Sequence, residues 1–330
     1  MQGHDIIVIG ASAGGVQTLK ELVQELPEHL PASLFIVLHT ANQGGDSLLP
    51  AILERKGPLP AQAPVDKTPF EKGRIYVARP DHHMLIERDV IRIVRGPKEN
   101  RHRPSVDPLF RSAAWSHGPR VVGVVLSGTL DDGAAGLWAI KTCGGVTVVQ
   151  DPAEAPYSGM PTSALMTLRV DYCLPVKRIA MLLGELAHRS VKGSGPPQGI
   201  DRLKTETKFA TLDRDMEDME QLNGDPSVFS CPTCQGTLWE LKDGEDMLRY
   251  RCHVGHAFSM DSLLAEQTDY AEKAIYSALR ALQEKAKALR RIAERFESRF
   301  PDIHARYQQE AGQLDESAEV IRQLLASRPV

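Results

Sequence analysis

Three short segments carry the residue types that serine-based acyl transfer needs. Gly10-Ala11-Ser12-Ala13-Gly14 follows an apolar run at residues 5–10 and precedes an amphipathic stretch. This is the G-x-S-x-G form between a strand and a helix, where small neighbours let a serine project above a sheet. The amides that open the helix would then face an oxyanion. Two other readings fit the same residues, a phosphate cradle and a plain tight turn. Against the cradle, Ser12 replaces the second glycine of the dinucleotide fingerprint, and no Gly-Lys-Ser or Gly-Lys-Thr follows.

His39 stands just past the apolar run at residues 34–38. Ligands of open α/β sheets bind beyond the carboxyl ends of strands, so His39 is placed either for proton transfer or as a loop cap. Residues 127–136, Ser-Gly-Thr-Leu-Asp-Asp-Gly-Ala-Ala-Gly, follow a third apolar run. One of Asp131 and Asp132 could orient an imidazole and the other cap the next helix; spacing does not choose between them. A nucleophile, a base and an orienting acid at three strand ends suggest acyl transfer. Their chain order is Ser, His, Asp, unlike the Ser, acid, His of α/β-hydrolases.

The elements that must position these residues alternate. Strands are expected at 5–10, 34–38, 74–78, 84–94, 121–127, 146–150 and 171–174, with 74–78 and 84–94 forming a hairpin-like insertion. Helices are expected at 16–26, 47–55, 106–116, 133–143, 161–168 and 178–188. Strands apolar on both faces, each followed by a helix, give an α/β fold with a doubly wound, mostly parallel sheet.

These segments resemble the catalytic domain of the chemotaxis protein-glutamate methylesterases, the CheB family, over about residues 4–188. The resemblance rests on IGASAGG with Ser12, VLHT with His39, HRPSVDPLFRSAA from His102 to Ala114, LSGTLDDGAAGL, and SGMPTSAL from Ser158 to Leu165. It implies Ser12 as nucleophile, His39 as general base and Asp132 as orienting acid, with Asp131 on a variable position. It implies hydrolysis of glutamate γ-methyl esters on chemoreceptor signalling helices, with deamidation of receptor glutamines in many members and no cofactor for catalysis. Thr129 and Leu130 stand where the family usually has Met-Gly. The family's usual N-terminal receiver domain is not expected here, because the chain opens on the first catalytic strand. The same fold with weak catalysis, serving as a partner-binding scaffold, is the competing reading.

His82 and His83 follow a predicted strand and read either as cleft-lining or as loop surface. Arg101 and Arg103 flank His102 and read either as a patch for an acidic receptor helix or as a solvated turn.

Composition changes after His188. Residues 191–227 read as a linker, Gly, Pro and Ser rich at its start, with a short helix over 205–223 carrying Phe209, Leu212, Met216 and Met219. Residues 228–258 hold Cys231-Pro-Thr-Cys234 and, seventeen residues on, Cys252-His253-Val254-Gly255-His256. Cys231, Cys234, Cys252 and His256 are the expected ligands of a structural zinc; His253, adjacent to Cys252, would need a strained loop. A hairpin turn is expected at Asp243-Gly244. Residues 259–328 repeat apolar positions by fours and threes, from Ile275 to Phe296 and again from Tyr307 to Leu325, with Pro301 between. They predict a helical hairpin or coiled coil, either packing on the chain or meeting a response regulator or a second copy. The catalytic domain is expected to span 1–190.

The chain has 330 residues, 42% hydrophobic and 25% charged, with net charge -4. That excludes wholesale disorder and gives no electrostatic case for a nucleic-acid partner. No signal peptide is expected, and no run is long enough to predict a spanning helix. Five cysteines, three of them clustered, fit a reducing cytoplasmic setting with a metal site better than a disulfide framework.

Overall fold

A computed structural model of the chain describes residues 3–39, 47–191, 201–212, 222, 224–243 and 247–327. Its central sheet contains β1 (Ile6–Ala11), β2 (Ser33–Leu38), β3 (Ala61–Gln62), β5 (Arg74–Val77), β8 (Val121–Val125), β9 (Val146–Gln150) and β10 (Tyr172–Leu174). The order is β10-β9-β8-β1-β2-β5-β3, and every neighbouring pair is parallel. From β1 the chain moves outward to β2 and its neighbours, then returns to β8 on the other side. That reversal places the ligand crevice of such sheets beyond the carboxyl ends of β1 and β8.

β1, β2 and β8 are buried along their whole length, so both faces need cover. On one face lie α1 (Gly15–Gln24), α2 (Leu49–Lys56) and α6 (Val176–His188), packed on Ile7, Ile9, Leu34 and Ile36. On the other lie α3 (Val106–His117), α4 (Ala134–Thr142) and α5 (Gly159–Thr167), packed on Ile6, Val8, Phe35 and Val37. α1 shows why such segments fold as they do. Gly15, Thr18, Leu19, Leu22 and Val23 are buried at three- and four-residue spacing, the stripe of an amphipathic helix.

The expected insertion is smaller than the sequence suggests. Residues 74–78 do not pair with 84–94; Arg74–Val77 lies in the central sheet beside β2. Ile75, Tyr76 and Val77 are all buried, which is the mark of a two-faced parallel strand rather than of a hairpin arm. The hairpin is β6 (His83–Glu87) with β7 (Val90–Val94), extended by β4 (Thr68–Pro69).

α7 (Asp201–Thr211) begins earlier than the helix expected over 205–223 and buries Phe209, while Leu212 follows its end and is exposed. Met216, Met219, most of the Gly-Pro-rich stretch and Gly244 lie outside the described residues. An antiparallel sheet follows, β11 (Asp225–Ser230), β12 (Thr237–Asp243), β13 (Met247–Cys252) and β14 (Ala257–Ser259). Two long helices end the chain, α8 (Met260–Phe296) and α9 (Pro301–Ala326).

The chain divides into compact units Met1–Leu263 and Leu264–Val330, so the Cys/His sheet and the first turn of α8 belong to the same unit as the α/β fold. In the second unit, Ala286, Leu289 and Ala311 form a buried seam flanked by Tyr307 and Leu314. His304 Nδ1 meets Ala293 O at 3.0 Å, and Lys285 pairs with Glu310. These contacts make an antiparallel hairpin, and Pro301 starts its second helix.

Candidate active site

The strand ends deliver the candidate residues to one edge. β1 and β2 are in register from Ile6↔Ser33 to Ala11↔Leu38, and His39 N donates to Ala11 O at 3.1 Å. Ser12 and His39 are therefore the next residues on adjacent parallel strands. Ser12 N donates to Ser127 O at 2.9 Å, which ties the serine to the end of β8. Gly128 makes that approach feasible: a Cβ there would lie 2.8 Å from Ser12 Cβ and 2.1 Å from Met160 Sδ.

His39 Nε2 lies 2.8 Å from Asp132 Oδ2, and both side chains are buried. Asp132 is a carboxylate seated at the start of α3. Its Oδ2 also accepts from Val106 N at 2.8 Å, and its Oδ1 accepts from Asp107 N, Ser105 Oγ and Asn100 Nδ2 at 3.2, 2.9 and 3.0 Å. Burial opposes its ionisation, yet His39 and the helix amide hold it well below the usual carboxylate range. An ionised Asp132 only accepts, so in the neutral ring of His39 the proton sits on Nε2 and the lone pair on Nδ1. Nδ1 is buried and has no hydrogen-bond partner among the described residues.

His102 stacks on His39, ring centroids 3.7 Å apart and planes 10° apart. Burial and the neighbouring His39 push it down to about 3, so it stays neutral and packs without opposing a charge on His39. Asp107 sits behind Asp132, accepting from Gly133 N and Gly136 N at the start of α4. Burial and the charge of Asp132 push it up to about 8.

The structure joins His39 to Asp132, sets Ser12 on the next strand end, and leaves Asp131 apart. Asp131 lines a cavity of about 560 Å³ with Leu130, Met166, Met260 and Asp261. His83 neither lines the cleft nor lies on the surface. It is fully buried on β6, donates from Nε2 to Pro97 O at 2.8 Å, and accepts the Ser105 amide at Nδ1. His82 bonds back to Pro80 O. Arg103 is an internal tie rather than an open docking charge: it donates to Asp81 Oδ1 from Nε and Nη2 and to Gly96 O from Nη1. Asn100, Ser105 and Asp107 escaped the residue-by-residue reading, although Ser105 and Asp107 fall in the HRPSVDPLF segment.

The four predicted metal ligands also converge. Cys231, Cys234, Cys252 and His256 present ligand atoms within 4.8 Å of one another. Cys234 Sγ and Cys252 Sγ are 3.6 Å apart, and His256 Nδ1 lies 3.6 Å from Cys252 Sγ and 3.8 Å from Cys231 Sγ. A tetrahedral zinc with bonds of about 2.3 Å to sulfur needs ligand edges of about 3.8 Å, so the donor set and its spacing fit that ion. Gly255, at φ 105, allows the turn that returns His256 beside Cys252. His253 is turned away and accepts from Trp239 Nε1 at 3.2 Å.

Comparison with known proteins bears on the α/β part of the chain. A family model described as CheB methylesterase matches residues 7–183. A protein of Leptospira interrogans, provisionally named protein-glutamate methylesterase/protein-glutamine glutaminase, is 36% identical over 190 residues, 57% of this chain and 98% of its own. Protein-glutamate methylesterase/protein-glutamine glutaminase 2 of Rhodospirillum rubrum is 37% identical over 182 residues, 54% of this chain and 50% of its own. The chain thus spans only about half the length of that relative. The crystal structure of the Thermotoga maritima CheB methylesterase catalytic domain superposes with TM-score 0.54 at 29% identity, covering 56% of this chain and all of that one.

Proposed function

Because this chain belongs to the CheB methylesterase family, we propose that it hydrolyses glutamate γ-methyl esters on chemoreceptors through Ser12, His39 and Asp132. The observation that carries the reading is the His39 Nε2–Asp132 bond of 2.8 Å with Nδ1 unpartnered among the described residues, His39 following β2 as Ser12 follows the neighbouring β1. In this mechanism Ser12 Oγ attacks the ester carbonyl and passes its proton to His39 Nδ1. The tetrahedral intermediate collapses, the C–O bond to methoxide breaks, and His39 returns the proton to release methanol. Water, deprotonated by His39, then cleaves the acyl-serine to a glutamate carboxylate and restores Ser12. The carboxylate of Asp132 stabilises the imidazolium formed in both halves. A receptor glutamine would follow the same steps with ammonia leaving.

Methanol release from methylated receptor membranes tests the reading. The natural chain is expected to release methanol and Ser12→Ala to release none above the uncatalysed background. Release retained in Ser12→Ala would remove the serine from the reaction.

The Cys/His cluster belongs to the same proposal as a structural zinc site. Cys231, Cys234, Cys252 and His256 would fill all four positions of a tetrahedral shell, leaving none for substrate. One equivalent of zinc per chain is expected by elemental analysis, and Cys252→Ser is expected to lose it together with a cooperative fall in thermal stability. Well under one equivalent in the natural chain rejects the site. Among the described residues no helix is long and apolar enough to cross a membrane.

A further inference from the structure

The residue that joins the candidate site to the Cys/His sheet is Asn100. Its side-chain amide is fully used. Nδ2 donates to Asp132 Oδ1 at 3.0 Å and to Asp107 Oδ2 at 2.7 Å. Oδ1 accepts from Ser259 N at 3.1 Å and from Ser262 Oγ at 3.3 Å. Two donors and two acceptor sites exhaust an asparagine, and the orientation is unambiguous, because a flipped amide would set its oxygen against the Asp132 carboxylate and its NH2 against the Ser259 N–H. One end of the amide thus faces the catalytic-site acid, and the other faces β14 and the first turn of α8.

The backbone around Asn100 is held from the same side. Asn100 N donates to Ala257 O at 2.8 Å, and Ala257 N donates to Lys98 O at 3.3 Å. Asn100 and Arg101 both adopt left-handed backbone, φ 48 and 72, a conformation that needs outside support in residues other than glycine. Glu99, next in sequence, is clamped by Arg111 of α3 and Arg251 of β13. Glu206 of α7 binds Arg249 and Arg251 in the same buried cluster. The loop that carries Asn100 is therefore set by residues more than 100 positions further along the chain.

We propose that Asn100 is a positioning residue for Asp132, and that the Cys/His sheet with the first turn of α8 holds it in place, so that the C-terminal extension is a working part of the esterase site. This rests on the reading of Ser12, His39 and Asp132 as catalytic. The extension supplies no reacting group. It fixes the donor that, with Ser105 Oγ and the α3 amides, orients the carboxylate under His39. Loosening the extension would let Asp132 and His39 rotate away from a geometry in which displacements near 1 Å matter.

The test uses the full chain and a fluorophosphonate, which phosphonylates an activated serine with loss of fluoride and needs no receptor. The maximal inactivation rate and the half-saturating probe concentration are measured separately for the natural chain, Asn100→Ala, Asn100→Asp, Ser262→Ala and the Asn100→Ala/Ser262→Ala double variant. Asn100→Ala is expected to lower the maximal rate by about 10–100-fold with half-saturation unchanged. Asn100→Asp keeps the size and the oxygen toward Ser259 but replaces the donor to Asp132 with an acceptor, and is expected to be at least as slow. Ser262→Ala is expected to slow the natural chain about threefold and to have no further effect when Asn100 is already alanine.

Equal factors for Ser262→Ala in both backgrounds, or a natural maximal rate in Asn100→Asp, would overturn the coupling while leaving the serine reading intact. No modification of Ser12 in the natural chain would overturn the serine reading and the coupling with it. Should Asn100→Ala fail to fold, the Ser262→Ala and Asn100→Asp rates decide alone.

Discussion

Asp132→Asn is expected to lower kcat for methanol release by about 10⁴-fold with little change in KM. The loss has a specific origin in the hydrogen-bond sense around the imidazole. Asp132 accepts from His39 and from four further donors, Asn100, Ser105, Val106 N and Asp107 N. An asparagine must turn its NH2 toward some of them. If that NH2 faces His39 Nε2, the ring proton moves to Nδ1, the atom that should take the proton of Ser12. If it faces α3 instead, a buried N–H is left against other N–H groups, at about 1–3 kcal/mol. Either way the base is disabled or the helix start is weakened. Val106 N shares Oδ2 with His39, so the urea midpoint falls in either orientation, and a kcat loss far larger than the stability change accounts for marks the tautomer effect. A kcat within tenfold of the natural chain would show that Asp132 is not the orienting acid.

The second large effect concerns stability. Glu206→Ala is expected to destabilise the first compact unit by about 3–5 kcal/mol. Arg111, Arg249 and Arg251 are all buried, and Glu206 and Glu99 are the carboxylates that bind them. Removing Glu206 takes away a carboxylate that Arg111, Arg249 and Arg251 all contact. Burial alone would raise the pKa of Glu206, but Arg249 and Arg111 hold it well below the usual range. Its contribution is therefore fully present above the ordinary glutamate pKa and is lost only as pH falls through the depressed value. Urea unfolding at neutral pH measures the loss, and a midpoint unchanged from the natural chain would mean that water reaches these charges. Replacing Glu206 and Arg249 together with apolar residues of similar volume should recover much of the stability, since the ion pair itself gains little over good packing.

Much of the candidate site was legible because its residues sit where strands stop. Ser12 and His39 follow apolar runs too long and too uniform to be anything but buried parallel strands, and the register of β1 and β2 then makes them neighbours. The choice of Asp132 over Asp131 needed the family pattern, because two adjacent acids after a strand look alike until the partner of each is known. The convergence of Cys231, Cys234, Cys252 and His256 was legible because residues of these types at metal-site spacing are brought together locally. Asn100 and His83 were not, since each acts through partners far away in sequence and looks like an ordinary turn or loop residue by itself. Arg111, Glu206 and Arg251 were missed for the related reason that isolated charges read as solvent-exposed. The strand Arg74–Val77 was misplaced because four apolar-rich residues do not say whether their neighbour is sequential or distant.

The contact between Glu99 and Arg251 joins residues 152 positions apart. On a ribosome adding about 5–20 residues each second, Arg251 is made about 8–30 s after Glu99. During that interval Ser12, His39 and Asp132 have all been synthesised, but the loop beside Asp132 lacks its anchor. On the proposed roles of these residues, a growing chain would carry Ser12, His39 and Asp132 well before the loop beside Asp132 is anchored, and completion of the Cys/His sheet would mark the moment at which a new molecule becomes competent.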